Sequence, residues 1–256
     1  MKLYAKELFQ KSLIILLFAL HSYSCQAEDA SSELINGFVY LNDEDPSILV
    51  NLKYHGEENF MGAPLLGCRG SRAVITSEAA SALKNVQEDL ISHGYSLVVY
   101  DAYRPLKTLP AFKSWLQVKD TLLKEIYYPN FTKEEINEDG YLQEKRHHVR
   151  GSTVDVSIIS IKDKLANSCT EQKRNYKGAK CIKYLNDNTV EMGTSYDTFD
   201  PLSAYSNSLV PDEAAFNRRL LKNKMQNHGF IQSEKFWWQF TLMREPYIDS
   251  VFDFDI

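Results

Sequence analysis

Three short segments of this chain hold residue types that can do chemistry. The first is His147-His148-Val149-Arg150-Gly151-Ser152-Thr153-Val154-Asp155. A loop histidine and an aspartate on the polar face of the strand that follows can converge on a metal ion through an imidazole nitrogen and a carboxylate oxygen. The same pair, taken alone, also fits a histidine hydrogen-bonded to a strand aspartate. The second segment is Asp101-Ala102-Tyr103-Arg104-Pro105, in which Pro105 fixes the backbone just after an arginine. An arginine at a rigid strand exit can steady an oxyanion, or can close a structural ion pair. The third is Phe236-Trp237-Trp238-Gln239-Phe240, which by composition reads as an aromatic core strand.

The elements that must position these residues follow from hydrophobic spacing. Thr76 or Ser77 can cap a helix carrying Leu83, Val86 and Leu90 on one face, stopped by Gly94. Ser96–Tyr100 reads as a buried strand that exits at Asp101, and a helical stretch is expected over Leu106–Lys119. Thr153–Ile159 reads as a second strand, with Val154, Val156 and Ile158 on one face and Thr153, Asp155 and Ser157 on the other. Asp212–His228 is an amphipathic helix presenting Phe216, Leu220 and Met225 and ending at Gly229, and Lys235–Met243 is expected to form a last strand. This order predicts an α+β fold, a small mixed, antiparallel-rich sheet with helices packed on it.

The chain has 256 residues, 44% hydrophobic and 25% charged, enough to bury one substantial core. Its N-terminus reads as an export signal. Lys2, Lys6 and Lys11 precede the short apolar run Leu13–Leu20 and the small-residue end Cys25-Gln26-Ala27, with cleavage expected after Ala27. The run is shorter than the roughly 20 residues a membrane-spanning helix needs. Lipidation at Cys25 is the weaker alternative, because Ser22 stands where a leucine is wanted. Residues 28–256 are then a single exported domain, expected in the periplasm. Removing residues 1–27 moves the formal charge from −5 to −7, which gives no electrostatic reason to seek nucleic acid or anionic lipid. Cys169 and Cys181 bracket a Lys-rich polar stretch and are spaced for a disulfide in an oxidising compartment, within a surface excursion over residues 160–190. Cys68, after Leu65-Leu66-Gly67, is read as a packing residue.

The three segments together resemble a known family. The order Asp-x-Tyr-Arg-Pro, His-x-x-Gly-x-x-x-Asp and a late Trp-Trp pair is similar to the zinc-dependent VanX-type D-alanyl-D-alanine dipeptidases. The likeness extends to Tyr127-Tyr128-Pro129-Asn130, Met192-Gly193 with Tyr196-Asp197, Asn217-Arg218-Arg219-Leu220, Gly229-Phe230, Glu245-Pro246-Tyr247 and Phe252-Asp253-Phe254. It runs from about Asn51 to the C-terminus. The resemblance implies a small α+β metallopeptidase acting on D-Ala-D-Ala dipeptide in peptidoglycan metabolism. It implies zinc held by His148, Asp155 and the residue at position 239. It further implies that Arg104 supports the transition state and that Asp197 holds the substrate's free ammonium.

At two positions this chain departs from the family's late Glu-Trp-Trp-His. Phe236 stands where the general base should be, and Gln239 where the third zinc ligand should be. A phenyl ring accepts no proton, and a neutral amide oxygen is a poorer zinc donor than imidazole. Arg146 replaces a serine in the Ser-x-His opening, and Thr153 an alanine. Glu234 would share a face with Phe236 on a regular strand, roughly 6–7 Å further along. His147 and His228 are the other nearby candidates for compensation. The readings that compete are a hydrolase, an inactive protein that binds a D-Ala-D-Ala-like ligand, and an envelope protein with no small-molecule role.

Overall fold

The computed structural model of the protein describes residues 34–119, 121–176 and 181–256. Residues Asn36–Ile256 form one compact unit, and the expected export signal lies outside the described residues. The strands are β1 (Phe38–Tyr40), β2 (Leu49–Val50), β3 (Val74–Thr76), β4 (Tyr95–Asp101), β5 (Thr153–Ser160), β6 (Thr170–Arg174), β7 (Ile182–Asn186), β8 (Phe230–Gln232) and β9 (Gln239–Leu242). The helices are α1 (Leu41–Glu44), α2 (Ser77–Ser92), α3 (Leu109–Gln117), α4 (Lys124–Tyr127), α5 (Lys133–Glu138), α6 (Tyr141–Glu144) and α7 (Asp212–Asn227).

Five strands form the main sheet in the order β2-β4-β5-β9-β8. Only β2 and β4 run parallel; the remaining pairs are antiparallel, as are the two-stranded pairs β1-β3 and β6-β7. The fold is therefore α+β with a mixed, antiparallel-rich sheet, as the order of elements predicts. Strands β4 and β5 are buried on both faces, which is why apolar residues run almost continuously through Leu97–Tyr100. Leu83, Val86 and Leu90 of α2 are fully buried, so the predicted face of that helix is the one that packs. Thr76 precedes α2 without capping it through its side chain. Its hydroxyl pairs instead with Ser152 Oγ at 2.8 Å, tying the helix start to the loop that enters β5.

Several sequence expectations are corrected. Only residues 239–242 of the predicted 235–243 strand pair as β9. Residues 233–238 turn between β8 and β9, so Glu234 and Phe236 do not share a strand face. In α7 the packed face is Ala214, Asn217, Arg218, Leu221 and Met225, while Phe216 is exposed. The i, i+3, i+4 spacing that matters there runs through two polar residues, and Arg218 is held by the carbonyls of Met192, Ala204 and Leu202 at 2.7–2.8 Å. The excursion at 160–190 is a hairpin rather than a surface loop alone, with Tyr176, Ile182 and Tyr184 buried.

Cys169 and Cys181 are free thiols, as is Cys68. The register of the hairpin explains why. Thr170 pairs with Asn186 and Arg174 with Ile182, so the two cysteines lie at opposite ends of the ladder. Six residues of strand separate them, roughly 20 Å, against the ~7 Å between Cα atoms that a disulfide tolerates. Cys68 is buried, as predicted, and burial pushes its thiol up to about 12.

Gly151, between His148 and β5, adopts φ +77°, and a Cβ there would come within 2.2 Å of the Phe38 ring. Gly151→Ala therefore meets both a backbone penalty and a clash with a buried ring. It is expected to destabilise the protein by about 2–4 kcal/mol in urea unfolding. A loss below about 0.5 kcal/mol would contradict the packing described for this turn.

Candidate functional site

The register of the central strands builds the site. Asp101 of β4 pairs with Asp155 of β5, and Asp155 pairs with Gln239 of β9. Three polar residues thus stand side by side on one row of the sheet, where cross-strand neighbours point the same way. A bulge between Val99 and Asp101 adjusts the end of β4 into this row. Asp101, His148 and Asp155 are all buried and bring ligand-type atoms within 4.8 Å of one another.

His148 lies in the 3-10 helix Lys145–Arg150 that leads to Gly151. Its Nδ1 is 2.7 Å from the Ala102 carbonyl, which can only accept, so Nδ1 carries a proton and Nε2 is the ring nitrogen left to face the strand row. Nε2 sits 3.2 Å from Asp155 Oδ1 with no aligned hydrogen bond between them. An imidazole nitrogen and a carboxylate oxygen this close in a buried place can share a proton or a cation. Gln239 donates from Nε2 to the Glu144 carbonyl at 2.9 Å, which leaves its Oε1 buried and without a partner among the described residues. The three residues that the resemblance implies as metal ligands therefore each present one unsatisfied buried donor atom: His148 Nε2, Asp155 Oδ1 and Gln239 Oε1. Asp101 lies on the other side of the imidazole, its Oδ2 3.4 Å from Nδ1, and so orients the ring rather than sharing that donor set.

Arg104 is fully buried. Its Nε is 2.6 Å from Asp101 Oδ2, its Nη2 donates to the Lys145 carbonyl at 2.7 Å, and its Nη1 has no partner among the described residues. That unpaired N–H is what an oxyanion would need. Burial pushes the Asp101 carboxyl up despite the adjacent Arg104 and His148. Burial also pushes Asp155 up, but His148 and Lys145 outweigh it and hold that carboxyl down at about 2. The far oxygen of Asp155 accepts from the Tyr196 hydroxyl at 2.9 Å.

Asp197 is one of two non-glycine residues in the left-handed region among those described, at φ +66°. Backbone strain of this kind persists where surrounding contacts over-determine it. Its carboxylate accepts from the Tyr54 hydroxyl at 3.0 Å, from the Phe60 backbone N–H at 3.3 Å, and from Lys145 Nζ at 2.6 Å. Lys145 is a residue that sequence reasoning missed. It has no exposed surface, and its ammonium also lies 3.6 Å from Asp155 Oδ2. The signal that could have found it is its place three residues before His148, in the run Lys145-Arg146-His147-His148.

Phe236 is fully buried, with its ring 4.6 Å from that of Trp238 in a stacked arrangement and 5.6 Å from that of Tyr141. The carboxylates nearby in sequence or contact are exposed or engaged elsewhere. Glu234 is exposed, and Glu144 accepts a hydrogen bond from Ser233 Oγ at 2.9 Å. His147 is partly buried, and burial lowers its pKa. His228 ends α7 with Nε2 3.4 Å from Asp89, away from the row. Arg146 is exposed and lines a surface groove of about 690 Å³ with Leu109 and Phe112.

Because Lys145 and Asp197 are both wholly buried, removing one takes the nearest charged partner from the other. Asp197→Ala is expected to cost about 3–5 kcal/mol of stability in urea unfolding. A loss below about 1 kcal/mol would mean that this pair is not desolvated in solution.

Comparison with known proteins gives one answer. A family model described as D-Ala-D-Ala dipeptidase, peptidase family M15, matches residues 35–172 and 166–256. A D-alanyl-D-alanine dipeptidase of Enterococcus faecalis is 31% identical over 223 residues, covering 86% of this chain and 98% of that protein. One from Streptomyces coelicolor is 30% identical over 220 residues with the same coverage, and one from Escherichia coli 25% over 198 residues, covering 77% of this chain and 80% of its own length. With the matched segments spanning nearly everything from residue 35 onward, the chain belongs to the D-Ala-D-Ala dipeptidase family.

Proposed function

We propose that this protein is a non-hydrolysing member of the family, an envelope protein that keeps the metal-binding donor set and a pocket directed at D-Ala-D-Ala-type ligands. The observation that carries this reading is Phe236, a buried ring stacked on Trp238 at the position of the general base. A positioned base is worth about 10²–10⁴-fold in rate, and the neighbouring carboxylates are exposed or engaged by other groups.

The residues fit a metal ion. Three unsatisfied atoms, one imidazole nitrogen, one carboxylate oxygen and one amide oxygen, belong to residues brought together by strand register and the turn before β5. His148, Asp155 and Gln239 would hold it, with the Nδ1–H of His148 fixed by the Ala102 carbonyl. Zinc, when bound to such a set, supplies Lewis acidity toward a peptide carbonyl and water. Arg104 would offer its free Nη1 to the carbonyl oxygen, and Asp197 would accept the ligand's ammonium in exchange for that of Lys145. The chain thus keeps the groups that would bind and orient such a ligand but no group that takes up the proton of an attacking water.

Two measurements test this on the purified protein. Zinc is expected to bind, and Gln239→His is expected to tighten it by at least about 10-fold in chelator competition. D-alanine release from the dipeptide is expected to be absent with zinc present. Turnover that His148→Ala abolishes would overturn the non-hydrolysing reading, and failure of both metal and dipeptide binding would leave only a structural role. For the envelope location, N-terminal sequencing of the exported protein is expected to begin at Glu28; retention of Met1 in the cytoplasm would reject export.

A further inference from the structure

We propose that Lys145 is a built-in ligand of this pocket, its side-chain ammonium occupying the seat meant for the ammonium of a dipeptide. The site as folded is closed by its own side chain, and a free primary ammonium enters only by displacing Lys145. This inference rests on the reading of Asp197 as the ammonium acceptor.

The surroundings of Lys145 Nζ are those of a cation-binding pocket. Asp197 Oδ1 lies at 2.6 Å and Asp155 Oδ2 at 3.6 Å. The rings of Tyr196, Tyr54, Phe236 and Phe199 stand with centroids 5.3, 5.4, 5.4 and 6.0 Å away. A carboxylate ringed by aromatic faces is a recognised way to hold an ammonium group. The pocket does not owe its carboxylate geometry to the lysine, because Tyr54 and the Phe60 N–H hold Asp197 independently. Its strained backbone is likewise a feature of residue 197 itself.

Lysine is rarely buried completely, and a desolvated ammonium is costly unless fully paired. Here it is paired, and the residue that displaced the catalytic base takes part. A glutamate at position 236 would bring another carboxylate to this spot, whereas Phe236 brings a ring face to the ammonium. Phe236 and the buried lysine thus meet at one place. Access agrees with occupancy: Arg104, Lys145, His148, Asp155 and Asp197 have no exposed surface. A tethered ammonium also competes at a high effective concentration, about millimolar or above for a short link.

The test removes the tethered group and returns it in free form. Lys145→Ala deletes three carbons and the ammonium, which propylammonium restores. The wild-type protein is expected to show no thermal shift with propylammonium and no calorimetric binding of D-Ala-D-Ala at 1 mM or so, the effective-concentration scale above. Lys145→Ala is expected to be stabilised by propylammonium by about 3–6 °C at ten times its Kd. Neutral 1-propanol should give no shift, and dipeptide affinity should rise at least 10-fold. Adding Asp197→Asn should abolish both gains. If Lys145→Ala does not fold alone, refolding that depends on propylammonium and not on propanol gives the same support, and absence of any rescue overturns the proposal. Rescue by propylammonium without dipeptide binding supports the internal ligand and overturns the dipeptide reading of the pocket. Equal dipeptide affinity in wild type and variant overturns the internal ligand and leaves that reading standing. Equal stabilisation by propanol reduces Lys145 to a packing role and overturns the proposal.

Discussion

Charge neutralisation inside the protein is the constraint on which the rest of this structure depends. Asp101, Asp155 and Asp197 are buried together, and isolated carboxylates cannot be carried into a protein interior at tolerable cost. Arg104 answers Asp101 at 2.6 Å, and Lys145 answers Asp197 at 2.6 Å and Asp155 at 3.6 Å. The hydroxyls of Tyr54 and Tyr196 take up further carboxylate oxygens. What stays unsatisfied is confined to a few atoms, chief among them the lone pairs on His148, Asp155 and Gln239 and one N–H of Arg104. Those are the atoms a metal ion and a carbonyl oxygen would satisfy.

The architecture serves this cluster by supplying it from separate parts of the chain. One row of the sheet contributes Asp101, Asp155 and Gln239 from three adjacent strands. The 3-10 helix Lys145–Arg150 delivers Lys145 and His148 three residues apart, and Gly151 turns the chain back into β5. The Glu144 carbonyl, just before that helix, fixes the amide of Gln239, and the Lys145 carbonyl fixes the guanidinium of Arg104. The same short segment therefore orients both the donor row and the arginine. A change in its backbone would disturb every part of the site.

Much of the fold was legible in the residues. The helix at 77–92 and the strands at 95–101 and 153–160 follow from apolar spacing that the structure reproduces within a residue or two. Less legible was the end of the chain, where Phe236-Trp237-Trp238 reads as strand by propensity but lies in a turn. Aromatic residues suit a strand and a buried turn equally, and only the pairing of Gln239 with Asp155 separates the two. Helix α7 was misread on its face because Asn217 and Arg218 pack inward against carbonyls, which hydrophobic periodicity cannot register. The cysteine pair looked bondable from spacing alone, until the hairpin register set the thiols at opposite ends.

The candidate site divides in the same way. Residue types and their order already determined which family this chain resembles, that His148 and Asp155 stand in a His-x-x-Gly-x-x-x-Asp segment, and that a phenyl ring occupies position 236. Those are properties of local sequence. Tertiary structure alone decided where the Lys145 side chain sits. Lys145 is charged and sits among basic neighbours, so on sequence grounds it belongs in solvent. It is buried because carboxylates from residues 155 and 197 and rings from residues 54, 196, 199 and 236 meet around its ammonium. All of those contacts except the one with Asp155 join residues distant in sequence, and their sum offsets a desolvation cost that no short segment could have offset.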